Sequence, residues 1–156
     1  MSVNVQVRLN RRWNTASAAV RDEFQRAGRE AASQLTRAFK REIRAAGAVA
    51  SAALVDSVST RYAQRGSIQQ FEVTAAAHWI YVERGRKPKS ALPPVAAIAE
   101  WMRLRGLTGS AWAIAVSIAR RGIRGRYPLR HAIEKTRPAM RAAFDRAVAR
   151  LKGRFR

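Results

Sequence analysis

The chain has 156 residues, 31 of them Lys or Arg and 10 Asp or Glu, for a formal net charge of +21. At 47% hydrophobic it is not a disordered polar tail, and the lack of Cys excludes disulfides, thiolate metal sites and Cys nucleophiles. Of the apolar residues 31 are Ala and only 43 are larger, which predicts a thin core that relies on close helix packing.

Val3, Val5, Val7 and Leu9 alternate with polar residues and predict a half-buried strand. Asn14 or Thr15 can cap a long helix running to about Ala46, with Gly47 as its stop. Its apolar stripe is Val20, Phe24, Ala27, Ala31, Leu35, Ala38 and Ile43. Ala48 to Asp56 reads as a short helix. Ser57 to Ala63 reads as a strand with Val58, Thr60 and Tyr62 on one face. A turn over Gln64 to Ser67 leads to a returning strand, Ile68 to Thr74, with Phe71 and Val73 inward.

Ala75 to Glu83 is apolar and aromatic, and Gly85 to Ser90 reads as a basic loop. Pro93-Pro94 opens a helix that ends at Gly106, and Ser110 caps another that ends at Gly122. In the second, Ala111, Ile114 and Ile118 lie on one side, with Trp112 and Val116 on the other. Pro128 begins a last helix, which Pro138 is expected to kink or restart. The predicted class is α+β: a small antiparallel sheet with a hairpin packed on one long N-terminal helix, then a mostly helical C-terminal half. Residues 1–151 are expected to form a single domain, with 152–156 as a basic tail.

Enzyme signals are weak, and the chain is not expected to be an enzyme. Its two His residues are 53 positions apart, outside any metal-ligand spacing, and no cofactor or metal is expected. His78 reads as a packed or partner-facing residue and His131 as solvated. Asp56, Glu72 and Glu83 could meet around the hairpin as a carboxylate site. The simpler expectation is that each pairs with an Arg. No P-loop, GxGxxG or GxSxG motif is present.

The charge is the main functional clue, since a +21 chain attracts polyanions at low salt. Only 5 of the 31 cations are Lys. That Arg bias fits phosphate or carboxylate recognition, and equally a GC-rich genome. Between Glu100 and Glu134 there is no acid, while Arg103, Arg105, Arg120, Arg121, Arg124, Arg126 and Arg130 fall there; Arg86, Lys87 and Lys89 could join them. The helix dipole accounts for Arg120 and Arg121 but not for the rest. With only Tyr127 among these cations, a stacking platform for single strands is not expected. Nor does Trp112 to Ile118 offer side chains able to read base edges. The segment Ala75 to Val82, with Trp79 and Tyr81, reads either as core beside the sheet or as an interface.

The order of the motifs resembles a known family. Ala53-Leu-Val-Asp-Ser-Val58, a hairpin, and then His78-Trp-Ile-Tyr-Val-Glu-Arg-Gly-Arg-Lys-Pro88 are similar to the tail-completion and head–tail joining proteins of tailed bacteriophages, the minor-tail-protein-Z-like group. That family carries a Tyr-x-x-Tyr-Val-Glu-x-Gly segment after two strands. Trp79, Tyr81, Val82, Glu83 and Gly85 match it, and His78 departs from the usual aromatic. Pro93 to Trp101, Gly106-Leu107, Ala113 to Ile123 and Tyr127-Pro-Leu129 resemble the longer branch of the family. The resemblance covers roughly residues 20 to 150.

It implies a non-catalytic virion protein of the neck, assembled in the bacterial host cytoplasm. The chain would form a hexameric or dodecameric ring between the head connector or adaptor and the tail terminator or tail tube. Genomic DNA would pass through the lumen without sequence-specific contact, and no membrane is involved. The expected subunit or partner contacts are Trp79, Tyr81, Glu83, Arg86, Lys87, Arg120, Arg121, Arg124, Arg126 and Tyr127. Most of the charge is expected to face adjoining protein rings, away from the DNA. Two other readings compete: a basic protein that binds DNA without base specificity, and a small hydrolase using Glu72 or Glu83.

Overall fold

Two long helices lie side by side because each carries a seam of small residues. A computed structural model describes residues 2–8, 18–47, 53–65 and 68–154. Its elements are β1 (Ser2–Arg8), α1 (Ala18–Ala45), α2 (Ala53–Ser57), β2 (Ser59–Arg65), β3 (Ile68–Thr74) and α3 (Trp79–Arg84). There follow β4 (Gly85–Arg86), α4 (Val95–Leu104), α5 (Ala111–Arg121), β5 (Ile123–Arg124) and α6 (Pro128–Arg154). The expected α+β class is what the structure shows. The expected N-caps of α1, Asn14 and Thr15, lie outside the described residues, as does the 66–67 turn.

Ala27, Ala31 and Ala38 of α1 and Ala132, Ala143 and Ala147 of α6 are fully enclosed, so the α1 and α6 backbones approach closely. Ion pairs staple the edges: Glu23 with Arg150, Glu30 with Arg146 at 2.5 Å, and Glu42 with Lys135 at 2.7 Å. The numbers rise along α1 as they fall along α6, so the helices run antiparallel. Such bridges contribute little stability where they are exposed, but they favour this register.

The sheet has the order β1-β3-β2 and is antiparallel throughout, with Phe71 of β3 opposite Val5 on one side and Tyr62 on the other. Phe71 and Val73 point inward, as the alternation required, and Phe71 meets Ala31 and Ala32 of α1. A larger cluster gathers Leu35, Phe39 and Ile43 of α1, Leu54 and Val55 of α2, and Val58, Val73, Trp79 and Leu129. Each large side chain buried there contributes about 1.5–3 kcal/mol.

Three expectations need correction. The first strand of the hairpin starts at Ser59, not Ser57, because Ser57 closes α2. Its hydroxyl donates to the Leu54 carbonyl at 2.7 Å and accepts from the Ala76 N–H at 2.9 Å. Of the two outcomes expected at Pro138, a restart does not occur: the last helix continues from Pro128 to Arg154 with Pro138 inside it. Enclosed residues on both sides of Pro138, Ala132 and Thr136 before it and Ala143 and Ala147 after it, hold the helix in one piece despite the lost backbone bond. Lys152 to Arg154 are therefore helix rather than tail, where their charge suits the C-terminal dipole.

Tyr62 lies flat against α1 at Gly28. A Cβ there would sit 2.4 Å from the ring, and the ring also packs on Phe71 with centroids 5.5 Å apart. The phenol oxygen is buried with no hydrogen-bond partner among the described residues. Burial raises its pKa from 10.0 to about 12, against the opposing pull of the Arg29 cation. Gly28→Val should lower stability in urea by about 1–3 kcal/mol, since the ring must be displaced. The folded state holds the Tyr62 proton more tightly than the unfolded chain does. Its contribution is thus complete below pH 10 and is lost as pH rises towards 12. Tyr62→Phe should leave stability at pH 7 equal or higher and flatten its fall between pH 10 and 12, as measured by denaturation at a series of pH values.

Candidate interaction surface

Helix α3 decides which of the candidate residues face outward. Trp79 and Glu83 are four apart and share its inner face; Tyr81 lies opposite and is 50% exposed. Trp79 is core: its ring meets Phe39 edge-on, with centroids 6.2 Å apart. Neither Trp79 nor Glu83 presents the partner surface expected of it.

Glu83 is a helix cap supplied from a distance. Its Oε2 accepts from the Leu129 N–H at 2.8 Å and its Oε1 from the Arg130 N–H at 3.2 Å. These are the second and third residues of α6, whose first N–H groups have no partner within the helix. Pro128, the first, has no N–H to satisfy. The carboxylate thus completes the α6 N-terminus and complements its dipole. The expectation that Glu83 pairs with an Arg is corrected: its partners are backbone. Among the described residues no cluster of three or more His, Asp or Glu could hold a metal ion.

The same junction is pinned through the backbone. The Arg126 N–H donates to Val82 at 2.9 Å and the Tyr127 N–H to Glu83 at 3.2 Å. Gly85 and Arg86, expected as part of a loop, instead pair with Arg124 and Ile123 in a two-strand ladder. Gly122 makes this possible. It has a φ of 75°, and a Cβ would lie 2.3 Å from the Arg86 carbonyl oxygen. Arg86 is a brace rather than a free cation. It lies 5.4 Å from the Tyr81 ring centre, and its guanidinium donates to the Ser90 hydroxyl and the Ala91 carbonyl. Ser90 in turn donates its N–H to Ala119 of α5.

Beyond this junction, α4 and α5 pack on each other as an arm. Ser110 caps α5 by accepting from the Ala113 N–H, as its position foretold. The arm buries little of its apolar surface: only Met102 of α4 and Ala115 of α5 are buried. Trp101, Leu104, Leu107 and Trp112 stay exposed, Trp112 at 61%. Tyr81, Leu92, Ile123 and Tyr127 add to them, so among the described residues nearly every exposed large hydrophobic side chain lies between positions 81 and 127.

Between the arm and α3 lies an apolar groove of about 400 Å³. Ile98 and Trp101 of α4 and Ile114 and Ile118 of α5 form one side. His78, Tyr81 and Val82 form another, and Ile123, Arg124 and Arg126 stand along the β5 segment. The fold thus brings Tyr81, Arg124 and Arg126 together. Lys87, Arg120, Arg121 and Tyr127 are exposed but do not line the groove. The isoleucines do not stand out in the sequence as surface residues. The available signal was an excess of large apolar residues for two short helices to bury.

Glu100 is the one acid between Glu83 and Glu134, and Arg103 engages it through two hydrogen bonds, of 2.9 and 2.7 Å. These bonds hold the Glu100 carboxyl below its usual range. No ion pair among the described residues engages Arg120, Arg121, Arg124 or Arg126. No protein-family model, curated protein or solved structure matches the chain.

Glu83→Gln replaces one acceptor oxygen with a donor and leaves a buried N–H of α6 without its partner. Urea denaturation should show a loss of about 1–3 kcal/mol, with the α6 end fraying first by hydrogen exchange.

Proposed function

We propose that the chain is a structural protein of the neck of a tailed bacteriophage, a ring-forming subunit that joins the head connector to the tail. The observation that carries this reading is the exposed apolar arm. Trp101, Leu104, Leu107 and Trp112 stay exposed, and a concentration of exposed apolar residues of this kind marks an assembly surface. The motif order from Ala53 to Leu129 supports the neck as its setting. Most of the acids are already engaged, which supports a non-catalytic role. Glu83 caps a helix, and Glu23, Glu30, Glu42, Glu100, Glu134 and Asp145 are in ion pairs.

The second reading, a basic protein that coats DNA, draws on the net charge of +21. It leaves the arm's exposed aromatic and aliphatic residues without a purpose, since phosphate binding needs none of them.

Electron microscopy of particles from the parent phage lacking this gene tests the proposal. Separate DNA-filled heads and complete, unattached tails are expected, and normally joined virions would refute it. DNA binding by the isolated protein should be weak and erased by moderate salt. A stoichiometric complex with a steep log–log salt slope would favour the coating role instead.

A further inference from the structure

The groove between α3 and the α4–α5 arm has a composition that selects its occupant. Its floor is aliphatic, with Ile98, Ile114 and Ile118, and Arg124 and Arg126 stand beside it without an ion-pair partner among the described residues. We propose that this groove docks a short acidic segment of another protein that carries large apolar side chains. The apolar residues would fill the groove, and Asp or Glu flanking them would meet Arg124 and Arg126. This rests on the assembly reading above and names the chemistry of one partner in it.

Three observations favour that occupant. A volume of about 400 Å³ lies within the ~300–1,000 Å³ range of pockets that enclose a small ligand, so it takes a few large side chains and not a folded domain. A second copy of this chain is poorly matched. Most of its acids are already in ion pairs or on the α6 backbone, and it would bring a net charge of +21 to a cationic rim. A nucleic acid would satisfy the two arginines but leave the isoleucine floor uncovered. An acidic amphipathic segment satisfies both, using apolar anchors for affinity and charge for orientation and encounter rate.

Fluorescence anisotropy on the full chain tests this. The probe is a dye-labelled peptide of about 14 residues, with Leu and Trp at i, i+3, i+4 and i+7 and Glu elsewhere. The controls are its scrambled form, oligo-Glu of the same net charge, and a single-stranded oligonucleotide. The amphipathic peptide should bind at least about tenfold more tightly than either peptide control at ~0.3 M salt, where exposed charges are largely screened. Ile118→Asp and the double change Arg124→Glu with Arg126→Glu should each weaken it by about tenfold. Ile118 is half-buried, so Ile123→Ser, at an exposed position on the same groove, is the second apolar test; it should weaken binding several-fold with the circular dichroism spectrum unchanged.

Equal binding of the scrambled peptide or oligo-Glu would overturn the proposal, as would tighter binding of the oligonucleotide. So would affinity unmoved by both Ile123→Ser and the double arginine change. The gene-deleted phage separates the two claims. If the double arginine variant restores head–tail joining in full, groove docking falls and the neck role stands. If the deletion alone leaves virions joined, the neck role falls, whatever the peptide shows.

Discussion

The Glu83 carboxylate joins parts of the chain that lie far apart in the sequence, at a junction that backbone hydrogen bonds and the β4–β5 ladder also hold. It stands on α3, close after the sheet, and accepts from backbone groups 46 and 47 residues further on. Because both oxygens are directed at the start of α6, the entry point of that helix is set relative to α3. The position of α6 along α1 follows from its entry point, and the ion pairs Glu42–Lys135 and Glu30–Arg146 then fall into register. The β4–β5 ladder lies between the two ends of the same link, so the base of the α4–α5 arm is set by it too. A carboxylate enclosed this deeply is costly unless it is well bonded, and two backbone N–H groups at a helix N-terminus meet that demand.

The two halves of the molecule treat their surfaces differently. The α1–α6 pair and the sheet bury alanines and a modest set of large residues, and Glu23, Glu30 and Glu42 of α1 are matched by Arg150, Arg146 and Lys135 of α6. The arm does the opposite: it buries Met102 and Ala115, exposes its aromatic residues and carries Arg120 and Arg121, which no ion pair among the described residues engages. For a chain acting alone this would be a poor use of a thin supply of large apolar residues. Under the proposed assembly role it is coherent, with the body supplying rigidity and the arm contact area.

The regular elements were legible in the sequence because their signals are local. The alternation from Ser59 to Thr74, the stripe from Phe24 to Ile43, the Ser110 cap and the Pro128 start each depend on neighbours within a few residues. The α3 segment was less legible. Trp79, Tyr81 and Glu83 were expected to act together, but six residues of helix separate Tyr81 from the other two by half a turn. The groove was only half readable. Arg124, Arg126 and Tyr81 stood out by charge and aromaticity, whereas the isoleucines opposite them read as ordinary helix faces with an unspecified partner.

The sequence by itself determined the α+β class, the order of the hairpin strands and the longer helices, and the cationic character of the stretch from Arg103 to Arg130, since periodicity, capping residues and charge are properties of adjacent positions. Only the tertiary structure decided that Glu83 caps a distant helix, that Gly85–Arg86 pairs with Ile123–Arg124, that α6 runs unbroken through Pro138, and that the arm's apolar faces go uncovered. Each of these depends on contacts between segments far apart in the chain. The energy of burial or pairing there overrides the local preference, and no short-range pattern records it.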